Sequence, residues 1–300
     1  MNPPVRLDPA AIARLQGLEL RAQRIVEGYA TGRHRSRLRG PSVEFAEHRD
    51  YAPGDDRRYV DWKAFAKRDR LYVKQFQAET RLTAYVAVDA SESMAFRGPD
   101  APLSKWEYAQ ATAAALVWIA VNQRDRAALA IFDRRLREAV SPGSTPAQIA
   151  LVLDALQRAN PQQRSDLPTA MGEVSLWARR RGVVAVVSDL LGDVAQLVAA
   201  LRRLRQARHE VVVLHVIDPA EIDFPYDAPA IFRGLEEGPA WAVEPRAVRS
   251  AYRRAAADFL KAAAAGCRQA GADYQFARTD EPFDAPLRRL LLARGRGPRG

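Results

Sequence analysis

The sequence predicts an α/β domain with a mostly parallel sheet and helices on both faces. Three observations point there. Apolar, β-branched runs recur at Leu82–Val88, Arg126–Phe132, Val183–Ser188 and 210–217. Such uninterrupted runs read as strands covered on both sides, not as half-exposed alternating ones. Helical segments separate most of them, and strand–helix alternation is what parallel strands with crossover connections require. Finally, two of the runs stop abruptly at an aspartate, Asp89 and Asp189. The crevice outside the carboxyl ends of such strands is where α/β sheets bind ligands.

Residues 8–30 read as an amphipathic helix, capped by Asp8 with Pro9 at its first position. Ile12, Leu15, Leu18, Ala22, Ile25 and Tyr29 form its apolar stripe. Residues 31–81 make an extended arm rich in Arg, Asp and aromatics, with short strands expected at 42–47 and 71–77 and a turn at Tyr51–Trp62. The organisation expected is thus an arm over 1–81 and an α/β domain over 82–300. Within the latter, Ser104 and Glu107 form a capping box for a helix to about Asn122. Strand 126–132 turns at Asp133 into a short strand, 136–140, and Thr145-Pro146 opens a helix to about Ala159. A helix follows Pro168. Strand 183–188, a helix over 193–207 and strand 210–217 come next. Residues 218–244 break the rhythm with several prolines and read as a β-hairpin insertion, with arms at 230–232 and 241–243. A long Ala-rich helix at 245–270 ends before Gly271, followed by strand 273–277 and helix 284–293.

Composition narrows the function. The chain has 300 residues, 48% hydrophobic and 27% charged, an ordinary globular balance. The single Cys267 excludes an intrachain disulfide and fits a reducing compartment. The most apolar helical run, Ala113–Val121, is far shorter than the roughly 20 residues a membrane span needs, and the N-terminus lacks a signal-peptide pattern. These readings lead to the expectation of a cytoplasmic protein. The formal net charge of +10 invites a nucleic-acid reading. But only five of the 46 basic residues are lysine, the arginines are spread along the chain, and no nucleic-acid module occurs. No specific nucleic-acid partner is therefore expected.

The chemistry sits in Asp89-Ala90-Ser91-Glu92-Ser93-Met94. A carboxylate and two alternate hydroxyls at a strand end suit a hard, oxygen-seeking cation, although Asp and Ser also serve as ordinary turn residues. Ser165, in a polar loop opening a helix, and Asp189, at the next strand end, extend the set. This order and spacing resemble the metal-ion-dependent adhesion site of the von Willebrand factor A fold. The resemblance implies Asp89, Ser91, Ser93, Ser165 and Asp189 as ligands of Mg²⁺, with Mn²⁺ or Ca²⁺ as substitutes. Two glycines usual in that pattern are replaced by Arg164 and Leu190. An ion held by neutral hydroxyls and two carboxylates stays electrophilic and seeks a further acidic oxygen from a partner.

A second resemblance covers nearly the whole chain. Gly32-x-His34-x-Ser36-x-x-Arg39-Gly40, Glu44-Phe45-x-Glu47, Arg49-x-Tyr51, Gly54-Asp55-Asp56-x-Arg58, Asp61-Trp62 and Val73-Lys74-x-Phe76 run directly into the Asp89 motif. The pattern is similar to the family catalogued as domain of unknown function 58, whose members are described as carrying a von Willebrand A-like domain beside MoxR-type AAA+ ATPases. It implies a non-enzymatic, metal-dependent adaptor for such an ATPase and for a client offering an acidic ligand.

The best enzymatic alternative is a Mg²⁺-dependent phosphohydrolase of the haloacid dehalogenase type. It needs a second Asp where Ser91 stands, and no lysine suited to its chemistry precedes Asp189. No Gly-x-Ser-x-Gly and no phosphate-cradling Gly-x-x-x-x-Gly-Lys-Ser/Thr occurs. His34, His48, His209 and His215 are scattered, and the five tryptophans read as core.

Overall fold

The computed structural model describes residues 43–50, 72–78, 82–234, 240–282 and 284–295. The expected helix at 8–30, the turn at Tyr51–Trp62 and the end of the tail lie outside them. The chain divides into two compact units, His34–Leu82 and a larger one containing Thr83–Gly300. In the smaller, β1 (Val43–Asp50) pairs antiparallel with β2 (Tyr72–Ala78), and a bulge shifts the register between Phe45 and Glu47.

The larger unit is mixed α/β, as the alternation predicts. In chain order it holds β3 (Thr83–Asp89), α1 (Lys105–Asn122), β4 (Arg126–Phe132), β5 (Leu136–Gly143), α2 (Pro146–Arg158), α3 (Leu167–Trp177) and β6 (Val183–Ser188). Then come α4 (Val194–Gln206), β7 (Glu210–Ile217), the short α5 (Pro219–Asp223), β8 (Ala230–Arg233), β9 (Ala240–Val243), α6 (Pro245–Gln269), β10 (Asp273–Arg278) and α7 (Asp284–Gly295).

Six strands form the central sheet in the order β10-β7-β6-β3-β4-β5. All neighbours are parallel except β5, which returns antiparallel along β4. β5 runs three residues beyond the expected end, through Pro142, which an edge strand tolerates because that position need not donate to a neighbour. β8 and β9 pair antiparallel as a separate hairpin.

Both sheet faces are covered, which explains the unbroken apolar runs. Tyr85, Ala87, Ala128, Phe132, Val184 and Val213 pack with residues of α3, α4 and α6. The alternate residues, among them Val86, Val88, Leu129, Ile131, Val187 and Leu214, are equally buried, and α1 and α2 pack on the strands that carry them. Fully burying each such Val or Leu contributes about 1.5–3 kcal/mol. Gly182 is required where it stands: a Cβ there would collide with the Thr83 carbonyl oxygen. Gly271, with φ of +73°, takes the left-handed conformation that closes α6.

Two expectations about the core separate. Cys267 is fully buried, and burial lifts its thiol to about 12, so it is packing and not a nucleophile. Trp241 departs from the core reading: it lies in β9 and is 64% exposed. Among the described residues, no helix is long and apolar enough to cross a membrane.

The strand order fixes where a site can form. From β3 the chain moves through β4 and β5 on one side, then crosses back to β6, β7 and β10 on the other. The reversal falls between β3 and β6, so their carboxyl ends flank the crevice that such a switch leaves open. Asp89 ends one strand and Asp189 follows the other.

Candidate metal site at the sheet switch point

Backbone contacts draw the three segments together. The Ala90 amide donates to the Phe132 carbonyl at 2.7 Å, continuing the β3–β4 ladder one residue past Asp89. The Gln162 amide donates to Ala90 O, and the Glu92 amide to Gln163 O, each at 2.8 Å. This pair straps the loop before α3 onto the Asp-x-Ser-x-Ser turn. Gln163 takes a left-handed φ of +61° there, the strain that tight strapping imposes on a residue with a Cβ. Asp166 then caps α3, accepting from the Thr169 amide at 3.1 Å. Ser165, just before the cap, is left facing Asp89.

A chain of hydrogen bonds connects the five sequence-predicted residues. Ser165 Oγ donates to Asp89 Oδ2 at 3.3 Å. The Ser91 amide donates to Asp89 Oδ1 at 2.9 Å, and the Ser91 and Ser93 hydroxyls lie 3.2 Å apart. Ser93 in turn hydrogen-bonds the Asp189 carboxylate. Asp89, Ser91 and Asp189 are fully buried and Ser93 nearly so.

Three residues that the motif reading missed complete the rim. Ser188 Oγ donates to Asp89 Oδ2 at 2.6 Å and accepts from the Leu190 amide at 2.9 Å. Its signal was a lone hydroxyl ending an otherwise apolar buried strand. His215, level with Ser188 across the β6–β7 ladder, contacts Asp189 O through Nε2 at 2.7 Å and Tyr274 Oη through Nδ1 at 2.8 Å. A carbonyl only accepts, so Nε2 carries the proton and Nδ1 accepts from the tyrosine hydroxyl. Burial holds the ring's pKa down to about 4, so it stays neutral.

The third is Lys105, at the start of α1. Its ammonium donates to Asp189 Oδ2 at 2.8 Å and to Glu221 Oε1 at 2.6 Å. The lysine sought upstream of Asp189 therefore exists, brought in from 84 residues away by the packing of α1. One sequence objection to a phosphohydrolase thus falls. The other stands, because Ser91 occupies the acid–base position and Lys105 is committed to two carboxylates. A rare lysine in an arginine-rich chain, immediately after the cap Ser104, was the available signal.

The electrostatics are lopsided. Burial, reinforced by the neighbouring Asp189 charge, pushes Asp89 up from 3.8 to about 7, against the hydrogen bonds that favour its charged form. Burial acts on Asp189 too, but the Lys105 charge and hydrogen bond outweigh it and hold that carboxyl below the usual range. Among the described residues no Lys, Arg or His pairs with Asp89. A buried carboxylate held only by hydroxyls and one amide, next to a second carboxylate, is short of positive charge. Among the described residues no three His, Cys, Asp or Glu side chains converge. The donor set is two carboxylates and three hydroxyls, which suits Mg²⁺ and not a soft or imidazole-seeking metal.

Leu190 answers the missing-glycine question. It adopts a φ of +55°, the left-handed geometry a glycine takes freely, while its side chain is buried in the core. Beyond it, a cleft of about 360 Å³ opens beside Ser165, lined by Arg134, Arg164, Asp166, Leu191 and Asp193 among others.

The uncharacterized protein Rv1480 of Mycobacterium tuberculosis is 31% identical over 296 residues, covering 97% of this chain and 92% of that protein. An aerotolerance-related membrane protein from Bacteroides fragilis, of solved structure, shares 18% identity with a TM-score of 0.46, covering 69% of this chain and 96% of the other. The SpRpn10 VWA domain shares 11% identity with a TM-score of 0.41, covering 70% and 95%. The family described as "Protein of unknown function DUF58" matches residues 47–261, and the chain belongs to that family.

Proposed function

We propose that this protein is a non-enzymatic, metal-dependent adaptor of the cytoplasm. In this reading Asp89, Ser91, Ser93, Ser165 and Asp189 hold Mg²⁺, directly or through water, with Mn²⁺ or Ca²⁺ as substitutes. The observation that carries it is Asp89: fully buried at the sheet switch point, ringed by hydroxyls, and without a cation among the described residues. The ion supplies an electrophilic position for an oxygen from outside the chain. The adjoining cleft, lined by Arg134, Arg164, Asp166 and Asp193 among others, leaves room beside Ser165 for a partner segment. The partner class is a MoxR-type AAA+ ATPase, on the strength of the family resemblance, with an acidic client segment completing the coordination.

The test is a pulldown of a MoxR-type ATPase with the full chain. The reading predicts capture in Mg²⁺, loss in EDTA, and loss with Asp89→Ala in Mg²⁺. Capture that ignores both chelator and substitution would contradict it.

A further inference from the structure

We infer that Lys105 is an internal counter-cation that sets the ion affinity of the rim, and that Glu221 controls how strongly it does so. This rests on the metal-site reading above and assigns it a regulator. Lys105 and Asp189 have no exposed side-chain surface, and Glu221 is 20% exposed. The ammonium is therefore shared between one carboxylate that belongs to the proposed ion site and one that does not.

Glu221 is held in place for this role. Its Oε2 accepts from the Asp218 amide at 3.0 Å, closing a capping box at the start of α5. Asp218, fully buried, is fixed in turn by the Ala220 amide at 2.8 Å, the Gly98 amide at 2.9 Å and the Thr279 hydroxyl at 3.3 Å. Gly98 has no room for a side chain, since a Cβ there would run into the Asp218 carboxylate. The Phe96 ring lies 5.7 Å from the Lys105 ammonium on a further side. The lysine is thus held by two carboxylates, with the Phe96 ring near its ammonium.

Asp189 and Glu221 share this one ammonium, while Asp89 has no cation beside it among the described residues. Because Lys105 already occupies Asp189 Oδ2, the site offers an incoming ion less negative potential than its two aspartates would alone. Ion retention then improves when a partner adds a carboxylate, and ion and partner bind cooperatively.

Two substitutions have opposite expected signs. Lys105→Met keeps the apolar stem and removes the charge, so Asp189 is freed for the ion. Glu221→Gln leaves Lys105 in place with Asp189 as its sole carboxylate. Calorimetric titration of the full chain with Mg²⁺ alone should show binding roughly tenfold tighter for Lys105→Met and roughly tenfold weaker for Glu221→Gln. Should Lys105→Met fail to fold, Glu221→Gln still decides the matter, because it keeps the Lys105–Asp189 bond. Mg²⁺ binding that depends on Asp89 but is unchanged in the variants would overturn the role of Lys105 and leave the metal site standing. No Mg²⁺ binding by any form would remove the metal site and this role together.

Discussion

Replacing Asp89 with Asn should stabilise the metal-free protein, against the usual result of altering a buried polar residue. Folding carries this carboxyl from 3.8 to about 7. At 1.36 kcal/mol per pKa unit, keeping it ionised in the folded state costs about 4 kcal/mol. The folded state therefore holds a proton between these two values that the unfolded chain has released. The stability this contributes is complete below 3.8 and is lost as pH rises through about 7. Asparagine has the same shape and no charge. Part of the gain is offset because its amide serves Ser188 and Ser165 less well than a carboxylate does. The expected net is about 3 kcal/mol at pH 8 in EDTA, a rise in melting temperature of roughly 6–12 °C for a domain of this size. The gap should shrink as pH falls and vanish below about pH 3, where Asp89 is neutral in both states. Adding Mg²⁺ should raise the wild-type midpoint and leave the variant unmoved. Scanning calorimetry across pH, with and without chelator, reads all of this. A variant less stable than wild type at pH 8 in EDTA, or a gap independent of pH, would refute the reasoning.

Other consequences concern the supports of the site. Ser188→Ala removes the 2.6 Å bond to Asp89 and strips the Leu190 amide of its acceptor; denaturant unfolding should show a loss of about 1–3 kcal/mol. Leu190→Gly relieves the left-handed backbone by about 1 kcal/mol but empties a core position at a cost of roughly 3 kcal/mol, so a net loss of about 2 kcal/mol is expected by the same method. Gly182→Ala drives a methyl into the Thr83 carbonyl and should lower the melting temperature more than either. His215, held neutral down to about 4, contributes stability that is complete above 6.5 and lost as pH falls towards 4. An NMR titration should find its ring neutral, with the proton on Nε2, at pH 5.5.

The fold was legible because burial on both faces leaves a mark in the sequence. Val183–Ser188 and 210–217 had to be apolar throughout, and they read as such. The strand ends were legible for the same reason: Asp89 interrupts an apolar run where the sheet stops. α5 stayed hidden inside 218–244 because five residues give too short a period to recognise, and the prolines there signalled irregularity. The site was half legible. Asp89, Ser91 and Ser93 are neighbours, so local spacing displays them. Lys105 meets Asp189 and Glu221 only through tertiary packing, across 84 residues in one case and 116 in the other. No periodicity encodes such a meeting. Ser188 was legible as a strand-end hydroxyl, but its direction towards Asp89 depended on β3 and β6 being neighbours, which only the topology supplies.

The central claim is that the rim between β3 and β6 takes a divalent cation. Its most direct test is an anomalous-scattering map from crystals of the full chain soaked in Mn²⁺. The account predicts one strong peak enclosed by Asp89, Ser91, Ser93, Ser165 and Asp189, absent from Asp89→Asn crystals. A peak elsewhere, or none at these residues at millimolar Mn²⁺, would contradict it.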